Sequence, residues 1–117
     1  MNPQDLKAAI LGAEDRQVVS VKTPEWPVAE VFVRPLSGVD RDWVDQMQSE
    51  KRFPDEGSPD WRGIRAGICS RGMCDAAGAS LGFTEAEVLA LGDKNGAALD
   101  RIYRKIRDIS GLAYDAV

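Results

Sequence analysis

Apolar and polar positions change period several times along the 117 residues, and each change marks a candidate element. Leu6, Ala9 and Ile10 recur at helical spacing behind Asn2 and Pro3, a capping side chain followed by a residue preorganised for a first helical turn. This predicts a helix over 3–11, which Gly12 would close through the left-handed conformation open to glycine. In RQVVSVK, from Arg16 to Lys22, and VAEVFVR, from Val28 to Arg34, the spacing shifts toward a period of two with many β-branched residues, predicting two strands. The intervening TPEWP contains Pro24 and Pro27, which cannot donate ladder hydrogen bonds and suit the turn of a β-hairpin. Ala29, Val31 and Val33 share one face of the second strand and Val28 and Phe32 the other, so both faces are expected to be partly covered. A two-stranded hairpin is marginal in water, and this one must lie on the following helices or pair an edge with another copy.

The rest of the chain reads as helical. Ser37 offers a capping hydroxyl with Asp40 three positions on, and Val39, Trp43, Val44 and Met47 form an apolar stripe opposite Arg41, Asp42, Asp45 and Gln48, predicting a second helix that ends near Lys51. The stretch RFPDEGSPD, from Arg52 to Asp60, is too polar and too broken by proline and glycine to pack and reads as a mobile loop. Asp60 can cap a third helix with Trp61, Ile64 and Ile68 on one face. Glycines 63, 67 and 72 weaken that helix by roughly 1 kcal/mol each relative to alanine, so they serve tight packing or leave the helix pliable. After Cys74 a turn-rich connector, DAAGASLGF, leads to Thr84-Glu-Ala-Glu87, a capping-box pattern opening a short helix over 85–91 that Gly92 stops. Asp93 can cap a final helix running to Ser110, ended by Gly111, with Leu99, Ile102, Tyr103, Ile106 and Ile109 as its apolar stripe.

These elements predict an α+β fold in a single domain, 1–117: an N-terminal short helix and β-hairpin packed on a mostly helical C-terminal part of about four helices. The hairpin region covers 14–36 and the helical region 37–112. Aromatic residues are 7% of the chain, so the core must come mainly from Val, Ile, Leu and Ala, with the three Trp residues as its largest pieces. No segment is apolar enough to span a bilayer, and MNPQDLKAAI lacks the basic start and apolar run of a signal peptide, so a cytosolic protein is expected.

Candidate chemistry is sparse. There is no histidine, which removes the commonest general base and the commonest transition-metal ligand. Cys69 and Cys74 lie roughly 140° apart on a helix, unsuited to a disulfide, and two cysteines without histidine cannot build a usual zinc site. Asp55, Glu56 and Asp60 lack the order and closing glutamate of a calcium loop, and Gly78 to Gly82 lacks the spacing and lysine of a phosphate loop. The only cations close in sequence to Cys69 and Cys74 are Arg65 and Arg71, and the cysteines read as buried structural thiols. No catalytic, metal or cofactor-binding residue is assigned, and no cofactor is expected. The net charge of −4 repels phosphate backbones, which argues against nucleic acid as a partner. The cluster Arg101, Arg104, Lys105 and Arg107 reads as the solvated basic side of a helix near its C-terminus.

Glu25-Trp26 in the hairpin turn, Arg34-Pro35-Leu36-Ser37-Gly38 after the second strand, and Thr84 through Leu91 leading to Ser110-Gly111-Leu112 occur in an order and spacing that resembles the tail assembly chaperones of long-tailed bacteriophages. The turn from Asp75 to Gly82 departs from that pattern, with Ala76, Ala77 and extra glycines in place of more polar residues. The resemblance implies a non-enzymatic protein, made in the host bacterial cytoplasm from a phage or prophage and absent from the mature virion. Such a protein would coat the tape measure protein and recruit the major tail tube protein. Self-association of copies around an extended helical partner is the accompanying expectation, with Trp26, Leu112, Ala113 and Tyr114 as candidate partner-binding residues; ordinary core roles are the alternative for the same side chains. The rival readings are a structural head-tail or tail component retained in the particle, and a small bacterial protein-binding regulator.

Overall fold

The computed structural model describes residues 1–51 and 59–112. Helix α1 spans Pro3–Leu11, with Asn2 Oδ1 accepting from the Asp5 amide at 2.8 Å. Gly12 ends it from the right-handed region (φ −89°, ψ 0°), because its amide still reaches the Ala8 carbonyl at 2.9 Å and no left-handed turn is needed. Strands β1 (Val19–Lys22) and β2 (Glu30–Val33) form the hairpin, paired antiparallel with Val19 opposite Val33 and Lys22 opposite Glu30. Both are shorter than the sequence pattern suggests. Arg16 leaves the strand because its Nε donates to the Pro35 carbonyl at 2.8 Å, and Thr23 ties the turn by donating its Oγ1 to the Val28 carbonyl at 2.8 Å.

Pairing continues within the chain. A two-residue strand β3, Met73–Cys74, adds to β2 antiparallel, with Phe32 opposite Cys74 and Val33 opposite Met73, giving the order β1-β2-β3. The Arg34 amide extends the contact to the Gly72 carbonyl at 2.9 Å. Following β3, Asp75 Oδ1 accepts from the amides of Ala77 and Ala79, both at 2.9 Å, and Gly78 takes a φ of +92°, closing a tight turn. That left-handed position is why glycine stands there.

Helix α2 spans Gly38–Lys51, and Ser37 Oγ accepts from the Asp40 amide at 3.2 Å. Val44 is buried and Trp43 half-buried, whereas Val39 in the first turn is exposed, outside the expected stripe, with no element among the described residues covering it. Helix α3 spans Pro59–Gly72, so it opens one residue before the expected cap Asp60; the expected mobile loop lies outside the described residues except for Pro59 and Asp60, which are the helix's first two residues. Helix α4 spans Glu85–Gly92, opened by a full capping box in which Thr84 Oγ1 accepts from the Glu87 amide at 3.2 Å and Glu87 Oε1 from the Thr84 amide at 2.9 Å. Gly92 stays helical and Asp93 closes α4, so Asn95 instead of Asp93 caps the next helix, its Oδ1 accepting from Ala97 and Ala98 at 3.0 and 3.1 Å. Helix α5 spans Gly96–Ile109, and Gly111 beyond it adopts φ +69°.

Helix α3 is central among the helices, packing on α2, α4 and α5, while α5 also lies across β1 and β2. Two of its glycines serve tight packing. A Cβ on Gly72 would meet Ile106 Cδ1 at 2.5 Å, and one on Gly67 would run into the Trp43 ring. Ile68, Ile102, Ile106, Val33 and Val44 are fully buried. Trp26 and Trp43, expected among the core's largest pieces, are half-buried and pack against it from its margin, while the fully buried side chains are mainly β-branched. The fold is α+β, with a short N-terminal helix, a three-stranded antiparallel sheet and four further helices among the described residues.

Candidate interaction surface

The hairpin turn is held from three sides. The Trp26 amide donates to the Thr23 carbonyl at 3.1 Å, and Thr23 itself is fully buried. Arg101 on α5 reaches across, its Nη1 and Nη2 donating to the two carboxylate oxygens of Glu25 at 3.0 and 2.8 Å and Nη1 also to the Lys22 carbonyl at 2.8 Å. A forked guanidinium matches a carboxylate in this geometry. The Arg101 hydrogen bonds hold the Glu25 carboxyl well below its ordinary range, at about 2. With its turn clamped, Trp26 packs half-buried against the core.

Leu112 also packs half-buried on the core, its amide donating to the Arg107 carbonyl at 3.0 Å around the turn at Gly111. Ala113 and Tyr114 lie outside the described residues. Trp26 follows Glu25, which Arg101 of α5 clamps, and Leu112 follows the C-terminal end of the same helix.

The basic cluster is not simply solvated. Arg101 clamps Glu25, Arg104 Nε donates to Asp100 at 2.7 Å, and Arg107 is buried with its guanidinium 5.5 Å from the Tyr103 ring centre. Only tertiary placement decides this, because in the last turn of α5 Arg107 lies on the side that faces the body. Arg71 on α3 likewise stacks 4.0 Å from the Trp43 ring centre and pairs with Asp40 at 3.0 Å.

Surface that sequence reasoning missed lies at α1. None of its residues is buried, and Leu6, Ile10 and Leu11 are 51%, 64% and 79% exposed. The helical period is legible in the sequence; that none of the helix's residues is buried is not.

Neither thiol is poised for chemistry. Burial pushes the Cys69 thiol up to about 12, and its Sγ lies 3.5 Å from the Leu99 carbonyl; burial also raises Cys74. Among the described residues no group of three Cys, Asp or Glu side chains could hold a metal ion, and no helix is long and apolar enough to cross a membrane.

No protein-family model matches the chain, and no curated protein matches it in sequence. Among solved structures the chain is similar to the bacteriophage HK97 tail assembly chaperone, with a TM-score of 0.62 over 99% of this chain and 100% of that one, at 16% identity. The two share their fold from end to end.

Proposed function

We propose that this protein is a phage tail assembly chaperone that binds the tape measure protein and helps recruit major tail tube subunits in the host bacterial cytoplasm. The observation carrying the reading is the end-to-end likeness in fold to the HK97 chaperone. The reading is also supported by Trp26 in the hairpin turn and by Leu112, each half-buried against the core and so partly open to a partner.

The role is one of binding, without catalysis. Cys69 and Cys74 are buried, with thiols pushed above their ordinary value mainly by burial, which disfavours the thiolate a nucleophile needs. Partner contact falls to the exposed parts of Trp26 and to Leu112, Ala113 and Tyr114. Copies associate with one another, a reading supported by the uncovered apolar row on α1.

Co-expression with the tape measure protein of the same genome is the direct test. The two chains are expected to purify as one complex and to be resolved together by size. If both fold and elute apart, the chaperone role fails. Mass spectrometry of purified virions is expected to find no copy of this chain; its presence there in stoichiometric amount would make it a structural tail component.

A further inference from the structure

Strand β1 has one side free, because the sheet order places it at the edge. The Thr23 amide donates to the Ala29 carbonyl, so in this register Thr23, Val21 and Val19 bond to β2 and the backbone groups of Ser20 and Lys22 point away from it. The Lys22 carbonyl on that outer side is taken by Arg101 at 2.8 Å. The Ser20 amide and carbonyl are not taken by any group among the described residues.

This free edge forms one wall of a groove of about 430 Å³, lined by Ser20, Val21 and Lys22 on one side and Arg101, Arg104, Lys105 and Asp108 of α5 on the other. Arg101 closes one end by its bonds to Glu25 and the Lys22 carbonyl. Arg104 shares Asp100, and Lys105 makes no ion pair among the described residues. Four cations and one carboxylate line the groove, and the cation nearest to unpaired stands opposite the open Ser20 edge.

We infer that this groove takes an extended, acidic segment of a partner protein, which adds to the Ser20 edge of β1 as a further strand and sets its carboxylates against Lys105 and Arg104. The reading follows from two requirements met in one place. Backbone donors and acceptors on a strand edge are satisfied by another extended backbone, whereas a helix has already used its own. Cations beside an edge strand repel a basic strand and attract an acidic one. The inference is independent of which partner supplies the segment.

The test uses the full chain and a blocked pentapeptide alternating glutamate and valine, followed by amide NMR and by fluorescence anisotropy. Ser20 and Lys22 amides are expected to shift. Binding should weaken about fivefold in Lys105→Glu and at raised salt. Lys105→Gln keeps the half-buried stem and isolates the charge, and should weaken binding by less. The same peptide methylated on alternate backbone nitrogens, or carrying lysine for glutamate, should not bind. Equal binding of the methylated peptide would overturn the strand pairing. Equal binding of the lysine peptide, or shifts confined to other elements, would overturn the groove. Sedimentation of the chain alone supplies the last arm: an oligomer that Lys105→Glu dissociates would mean a second copy fills the groove, and the proposed partner segment would be wrong.

Discussion

At the scale of single residues, close approach and buried polar bonds set the expected sensitivities. Gly72→Ala places a methyl against Ile106, a fully buried β-branched side chain that cannot swing away, and should cost about 1–3 kcal/mol in chemical denaturation despite alanine's better helix propensity. Gly92→Ala meets Ala66 at an ordinary 3.6 Å and should be tolerated. Ser110→Ala leaves the buried Leu36 residue's amide without the hydroxyl that accepts from it at 2.9 Å, and a loss of about 1–3 kcal/mol is expected in the same assay. For Glu25 the sign follows from its lowered value. A carboxyl at about 2 when folded and at its ordinary 4.5 when unfolded contributes stability at neutral pH that is lost as pH falls between those two values. The stability difference between the wild type and Glu25→Gln should therefore shrink through that window and vanish below it, as followed by thermal melts across pH.

The elements differ in how far they belong to the core. Helix α1 buries none of its residues, so removal of residues 1–11 should shift unfolding stability by less than about 0.5 kcal/mol, as measured by urea titration. Helix α4 is short and depends on its first turn: Thr84→Ala removes one half of the capping box and should cost about 1 kcal/mol, detectable as faster amide exchange from Glu85 onward. The hairpin is different again. It gains its third strand from two residues, Met73 and Cys74, that follow directly on α3, so sheet and helix are joined at Gly72, whose carbonyl accepts from Arg34.

For the whole molecule, the order of elements was legible from sequence because each obeys local chemistry. The asparagine and proline before α1, the capping box of α4 and the stripe of α5 are signals carried by neighbours in the chain, and the structure has all of them in place. The candidate surface was legible only in part. Trp26 and Leu112 lie half-buried against the core, and an available hairpin edge was expected from the two-stranded pattern, but which edge stays open and that α1 buries none of its residues carried no sequence signal.

The sequence by itself determined the α+β order, the starts of α1, α2 and α4 and the absence of histidine chemistry, because propensity, capping and composition act over a few residues. Tertiary structure alone decided that a two-residue strand completes the sheet, that Arg107 turns inward while Arg101 grips the hairpin, and that α3's glycines admit Trp43 and Ile106. Those outcomes depend on which surfaces meet across tens of residues, and no local pattern records that.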